Sequence, residues 1–529
     1  MSRLRLPSGV DVGDIVAGVS VALVLIPQSL AFAEIVGVPN HVGLFAAALP
    51  PLLAAPFASS PYLQTGPVAL TSILTFGALS GLATEGSPEY IEFAALLALI
   101  VGVIRLLLGL ARLGVIAYLM SQPVLMGFTN AAAILIVSSQ LPKMFGVEAR
   151  AEAEADGVLE RAWWTFSNPD EWERTALILS VVTIVVVLGT RRIHKLFPGV
   201  VLMVVGAVVW SAATGHGGPT VADLPGGFVS LSLDLPYGDL GSLLVPGVII
   251  AVVGFAEPAA IARTFAAADR IPWSADRELV SQGVANLASG ISGGFPVGGS
   301  FSRSSINRMA GASSRVSGAV TGAVVLLALP LSPVLEDLPL AVLGAIVVAG
   351  VYYLFQPLSI LKLWNVSRVQ AAVATGTFVA TLVASPRVDR GILAGIGFAI
   401  IAHLYREMRV DHYHERRGDR LVLVPRGVVW FATAQKLESR FIGALAANPD
   451  VGELEIDLSE TGRIDFSGAQ VLAILVDDAA GAGIQITISN IPPHASRALA
   501  AHMGGRFGVP TLDEIPVTER HQWTHRRAD

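Results

Sequence analysis

The chain has 529 residues and a formal net charge of −6; 53% of its residues are hydrophobic and only 14% are charged. Soluble domains carry about 25% charged residues, so an ordinary soluble protein is excluded, and apolar runs near bilayer-spanning length indicate a polytopic α-helical membrane protein. Cysteine is absent, which excludes disulfides, thiolate metal sites and cysteine nucleophiles.

The N-terminal MSRLRLPSGVDVGD has no cleavable signal pattern and leads into a span expected to be retained. Spans are expected to begin near Val12, Val42, Gly66, Phe93, Ala117, Ala176, Phe197, Leu243, Leu279, Gly298, Val316, Ala341, Val369 and Gly391, about fourteen in all. Several are short or interrupted. Residues 143–174 are polar, acidic and Trp-bearing and read as an extramembranous loop; residues 215–239, without Lys or Arg, read as another. Basic clusters fall at Arg3/Arg5, Arg105/Arg112, Arg191 to Lys195, Arg263/Arg270/Arg277, Arg308/Arg315, Lys362/Arg368 and Arg406/Arg409. The connections between them are neutral or acidic, as at Glu85/Glu89/Glu92 and Glu336/Asp337. This alternation follows the positive-inside rule and puts both termini in the cytoplasm. The exception is 386–390, with two arginines on an expected outer loop.

After Arg409 the composition changes. Residues 410–418 read as a charged linker, and from Leu421 the strand-like LVLVPRGVVWF, helical ATAQKLESRFIGALAAN and strand-like LEIDLS begin a small α/β domain. The expected division is therefore 1–409 transmembrane, 410–418 linker, 419–515 soluble domain and 516–529 tail. Within the first part there is an internal echo. Pro27–Gln28 and Pro67–Val68 are spaced much like Glu257–Pro258 and Pro296–Val297. Interrupted segments at matching positions of two halves point to a transporter site between inverted repeats.

Three constellations carry chemistry. In VPGVIIAVVGFAEPAAIARTFA the carboxylate of Glu257 follows an apolar run with no loop signal. A charge there costs about 2.5–3.5 kcal/mol on insertion scales. Glu257 therefore reads either as a group that takes up and releases a proton or as one locked in a pair with Arg263 or Arg303; the first is favoured, because leaving water disfavours a charged carboxylate. TGPVALTSIL breaks the backbone at Gly66 and Pro67 just before an apolar helix, and GGSFSRSSIN does the same with Ser300, Ser302, Ser304 and Arg303. A helix starting inside a membrane points unpaired N–H groups and a partial positive charge at its N-terminus, which binds anions. The alternative is two ordinary loop-to-helix junctions, with Arg303 a cytoplasmic loop residue. In LIPQSLAFAE, Gln28 is a polar residue in an apolar run, with Phe32 one turn on and on the same face; it serves either an anion or a helix–helix hydrogen bond.

Together DIVAGVSVALVLIPQSLAFAEIVGVP, TGPVAL, PVLMGFTNAAAILIVSSQLPKMFG and FAEPAAIARTFA…ELVSQGVANLASGISGGFPVGGSFSRSSIN resemble the sulfate permease (SulP) family, also called solute carrier family 26. The C-terminal IDLSETGRIDFSGAQVLAIL…GIQITISNI resembles its STAS domain. The resemblance runs from about Asp14 to the C-terminus. It implies a seven-plus-seven inverted repeat like that of uracil permeases, with core and gate domains, a homodimer and an elevator-like movement. It implies a substrate site between the third and tenth spans, lined by Gln28 and Phe32, with backbone N–H groups of Val68 and Ala69 after Gly66, and Ser302 and Arg303 opposite. Glu257 falls where proton-coupled members have a glutamate and sodium-coupled bicarbonate members an aspartate. Ser467, with Asp465 and Gly468, matches the phosphorylated turn of bacterial anti-sigma antagonists; the plainer reading is an N-cap serine.

The expected function is a secondary transporter of small anions in the inner (plasma) membrane, with sulfate, bicarbonate, chloride and dicarboxylate all open as substrates. A proton, or alternatively sodium, is the expected coupling ion. No metal, cofactor or nucleic acid is expected. An uncoupled exchanger, a passive anion channel or voltage-responsive motor, and a nucleobase permease are the rivals; a fixed arginine suits anions better than nucleobases. No phosphate-binding loop, metal cluster or nucleophile triad suggests an enzyme.

Overall fold

The computed structural model describes residues 11–118, 121–193, 197–221, 224–229, 231–408 and 411–515. Arg3, Arg5, His194, Lys195, Arg409 and the tail 516–529 lie outside the described residues. Contacts divide the chain into two units, Met1–Ala399 and Ile400–Asp529.

The membrane part is built in two halves. The first contains α1 (Val12–Val36), α2 (Asn40–Ala54), β1 (Thr65–Gly66), α3 (Ala69–Leu79), α4 (Pro88–Leu110), α5 (Gln122–Phe145), the short α6 (Glu148–Glu154) and α7 (Val158–Ser167), α8 (Arg174–Ile193) and α9 (Gly199–Thr214). The second contains α10 (Leu240–Asp269), α11 (Ala275–Ile291), β2 (Gly298–Gly299), α12 (Phe301–Met309), α13 (Val316–Ala328), α14 (Leu340–Val351), α15 (Pro357–Val366), α16 (Arg368–Val383) and α17 (Val388–Glu407). Local chemistry sets many of the ends. Asp11 caps α1 by accepting from Gly13 N–H at 3.0 Å, and Gly37 ends it in the left-handed region at φ 84°. Ser87 caps α4, and Gly146 closes α5 as Gly37 closes α1.

The packing repeats between the halves. α4 lies against α11 and α10, as α13 lies against α2 and α1; α5 lies against α16, as α14 lies against α8. This is the seven-plus-seven arrangement, with α1–α4 and α10–α13 in one group and α5, α8, α9, α14, α16 and α17 in the other. Eight of the described helical segments are long and apolar enough to cross a bilayer. The remaining crossings are short or interrupted, as at α3 and α12. Ile178, Val182, Val185, Val205 and Val209 are exposed on α8 and α9, as a surface solvated by lipid requires.

Several expectations need correction. Residues 143–174 hold the end of α5, all of α6 and α7, and the start of α8. The span expected from Ala117 begins at Gln122, because Gly114–Tyr118 forms a 3-10 turn. Arg105 is no loop residue: it lies inside α4, fully buried, while Arg112 is exposed beyond the helix end. Arg387, one of the two arginines that broke the charge alternation, pairs with Asp389 at 3.4 Å.

The C-terminal unit is a mixed sheet with helices. Residues expected as a linker form β3 (Asp411–Arg417), which pairs antiparallel with β4 (Arg420–Val429) along its length. This hairpin turns at Gly418, φ 67°. The strand order is β3–β4–β5–β7, with β5 (Glu453–Asp457) and β7 (Gln485–Ser489) parallel to β4 and to each other, and β6 (Thr461–Ile464) beside β4. α18 (Phe431–Ala446) joins β4 to β5, α19 (Phe466–Gly481) joins β6 to β7, and α20 (Pro493–Met503) follows β7. Leu421, Leu423, Leu437, Phe441, Leu454, Ile456, Leu472 and Val476 form its core.

Candidate functional site

The site starts from a two-residue ladder. Thr65 lies opposite Gly299 and Gly66 opposite Gly298, antiparallel, and Ser300 N–H extends the ladder by donating to the Gln64 carbonyl at 3.0 Å. Each strand runs directly into a half-helix, so α3 and α12 start from one place. Their N-caps are Val68 and Ser300. The counterpart of Pro67–Val68 is therefore Gly299–Ser300, three residues beyond the Pro296–Val297 expected from the sequence. Gly66 adopts φ 153°, and a Cβ there would lie 3.3 Å from Leu25 and 3.5 Å from Arg303. Gly66 thus shapes the ladder.

The two starts are satisfied differently. Val68 is extended (φ −143°, ψ 150°) and makes no side-chain cap, so the first N–H groups of α3 have no partner within the helix. At α12, Ser300 Oγ accepts from Arg303 N–H at 3.5 Å and lies 3.2 Å from Ser302 Oγ. The Arg303 side chain is fully buried. Its Nη1 donates to Gln28 Oε1 at 3.2 Å and its Nη2 to the Pro67 carbonyl at 2.9 Å, and its Nε makes no hydrogen bond. Arg303 therefore joins α12 to α1 and to the turn before α3. Its bonds run to Gln28 and Pro67 rather than to Glu257.

These residues enclose a cavity of about 20 Å³, room for roughly one water. Its wall is Gln28 and Phe32 from α1, Val68, Ala69 and Leu70 at the start of α3, Glu257 from α10, and Ser300 and Ser302 at the start of α12. The other helix group closes it with Gly350, Val351, Tyr353 and Leu354, at and beyond the end of α14. A second cavity, about 240 Å³, shares Leu70, Glu257 and Leu354 with the first and extends past Ala260 to Arg263 and Trp273. The expected residues Gln28, Phe32, Val68, Ala69, Glu257 and Ser302 thus meet at one cavity, with Arg303 bonded to its wall. Two helix N-termini and a buried guanidinium around a small space are an arrangement that can stabilise negative charge.

Sequence reasoning passed over the residues that hold this arrangement. Arg105 donates Nε to Ala251 O at 3.1 Å, Nη2 to Ile250 O at 3.0 Å and Nη1 to Val297 O at 3.0 Å. Asn286 both donates to Val297 O, at 3.1 Å, and accepts from Val297 N–H, at 2.9 Å. Glu278 is fully buried; its Oε2 accepts from Ser60 N–H at 2.8 Å, Trp273 Nε1 at 3.1 Å and Ser59 N–H at 3.2 Å. An available signal was Gly254, a glycine in an apolar run: a Cβ there would come within 2.7 Å of Arg105 Nη2.

Comparison with known proteins agrees with this geometry. The model of the sulfate permease family matches residues 12–377. The chain belongs to that family. A STAS-domain model matches residues 413–504. The permease is 28% identical over 521 residues to "Probable sulfate transporter 4.2" of Arabidopsis thaliana, covering 90% of this chain and 76% of that protein. It is 32% identical over 408 residues to a probable sulfate transporter of Mycobacterium tuberculosis, covering 76% and 71%. Its fold matches murine Solute Carrier 26 family member A9, an anion transporter solved in the inward-facing state, with a TM-score of 0.84 at 20% identity, covering 95% of this chain and 90% of that one. The permease is thus a multi-pass membrane transporter of anions and not an enzyme.

In its STAS domain, the serine reading needs correction. The N-cap of α19 is Asp465, whose carboxylate accepts from Gly468 N–H at 2.7 Å. Ser467 lies within the first turn, partly exposed. Asp465 holds the cap because it sits in the extended region (φ −88°, ψ 178°) that a capping residue requires.

Proposed function

We propose that the permease is a secondary active transporter that binds a small anion between the starts of α3 and α12 and moves it together with a proton carried by Glu257. The observation that carries this reading is the convergence on one small cavity of Val68, Ala69, Ser302 and Glu257, with Arg303 behind it. Backbone N–H groups and the guanidinium supply the attraction for the anion, and no coordination by metal is needed. Glu257 lines both cavities, so its charge acts on the anion and on the route to it. Because the small cavity is closed by residues at and beyond the end of α14, sliding of α1–α4 and α10–α13 against the other group would carry the site across the membrane. That is the elevator mechanism. The larger cavity lies toward Arg263 on α10, with Arg270 at the helix end, which the positive-inside rule assigns to the cytoplasm; both termini then face the cytoplasm in the plasma membrane. The homodimer and the choice of proton over sodium rest on the family resemblance alone.

The test is flux in proteoliposomes containing sulfate, bicarbonate, chloride or a dicarboxylate, with and without an inward proton gradient. Accumulation of one anion that follows the proton gradient is the expected result. Flux that only dissipates an anion gradient would replace this reading with a channel, and accumulation that follows sodium would replace the coupling ion.

A further inference from the structure

We propose that Arg105 is a second, hidden cation of the anion site, which fixes the start of α12 and biases the site toward doubly charged anions. This rests on the anion-site reading above. Arg105 lies on α4, behind the ladder and away from the cavity wall. Its side chain is fully buried, and its three hydrogen bonds go to main-chain carbonyls: Ile250 and Ala251 on α10, and Val297 just before β2. Carbonyl dipoles orient a guanidinium without neutralising it, so its charge stays in the field of the site.

The position of that charge follows from its neighbours. Gly254 gives it room, and a Cβ at Gly254 would meet Arg105 Nη2 at 2.7 Å and Thr71 Cγ2, on the first turn of α3, at 3.1 Å. A Cβ at Gly298 would meet Val68 at 3.1 Å and Thr71 at 3.5 Å. The guanidinium therefore sits close behind the place where both half-helices begin. Val297, which it holds, is three residues ahead of Ser300 on the cavity wall, a chain path of at most about 10 Å, and that sets the scale of the distance from the charge to the cavity.

One charge at about that distance in a protein interior changes the affinity of a singly charged ligand roughly tenfold, and the energy doubles for a doubly charged one. Arg105 and Arg303 together give the site two positive charges against one carboxylate, Glu257. The main-chain tie at Val297 is the second part of the role: it sets the strand that aims α12. Arg105 touches no ligand and is a positioning residue.

The test is binding of sulfate, oxalate, chloride and bicarbonate to purified full-length protein, for wild type, Arg105→Gln, Arg105→Lys and Arg303→Ala. Arg105→Gln should lower the ratio of dianion to monoanion affinity about tenfold. Arg105→Lys keeps the charge and loses part of the fork, so it should hold that ratio within about threefold while weakening all anions together. A purely structural Arg105 predicts an unchanged ratio in both variants, and that result would overturn the inference alone. If Arg303→Ala also binds as wild type does, the anion-site reading falls with it. Should Arg105→Gln fail to fold, Arg105→Met removes the charge while keeping much of the buried side-chain volume and reads the same ratio: a fall of about tenfold supports the inference, and an unchanged ratio overturns it.

Discussion

The third crossing begins TGPVALTSIL and the tenth GGSFSRSSIN. Both leave a two-residue strand of one ladder and start a half-helix inside the membrane unit. The first brings no charged side chain and no side-chain cap, and its N-cap is a valine. The second brings Ser300 as its cap, Ser302 on the cavity wall and Arg303 buried behind it. One end thus offers main-chain donors alone, while the other satisfies part of its own backbone and contributes a cation. The difference teaches that opposed half-helices need not be chemically alike to make one site, and that each end can be impaired separately.

Glu257 belongs to neither end, and its replacement should have the largest effect on transport. Glu257→Gln should abolish accumulation driven by a proton gradient while leaving anion binding intact or tighter, because both helix starts remain and a carboxylate beside the anion is gone. Uptake into proteoliposomes and calorimetric binding read the two quantities apart; a variant that still concentrates its anion would remove Glu257 from the coupling step.

At the uncapped end, Ala69→Pro deletes one backbone donor yet suits the first position of a helix, and Val68 already has the extended backbone that precedes a proline. A hydrogen bond to a charged partner contributes about 1.5–3 kcal/mol, so affinity should fall about tenfold or more with little loss of thermal stability. At the capped end, Ser300→Ala removes a cap of about 0.5–2 kcal/mol. It should lower the melting temperature of the purified protein and weaken binding by only about threefold. Reversal of this order would show that the side chains of α12, rather than the main chain of α3, hold the anion. The smallest effects belong to the STAS domain: Ser467→Ala should leave transport within about twofold, and a chain ending after residue 409 should still bind. Complete loss of binding in a well-folded truncated protein would contradict this separation.

Much of the site was legible because its chemistry is local. Proline, glycine and polar residues in apolar runs marked Gln28, Gly66, Glu257, Ser302 and Arg303, and the structure gathers them within one ladder and one cavity. The C-terminal α/β domain was legible from its alternating strands and helices. What could not be read were partnerships over long sequence separations. Arg105 passes for a loop charge until its carbonyl partners, 145 to 192 residues away, are known. The sequence aligns Val68 with Val297, whereas the N-caps of the two half-helices align Val68 with Ser300, three residues further on. The charged residues of β3 read as a linker in the sequence, and the same charges suit an edge strand paired on one side.

The central claim is that a buried guanidinium and two opposed helix starts hold the anion, and Arg303→Ala tests it most directly. Affinity should be measured on purified, monodisperse protein, for sulfate and for chloride, in wild type, Arg303→Ala and Arg303→Lys. The account predicts a loss of about ten- to a hundredfold for Arg303→Ala, larger for sulfate, with partial recovery in Arg303→Lys. A wild-type affinity in a folded Arg303→Ala protein would contradict it.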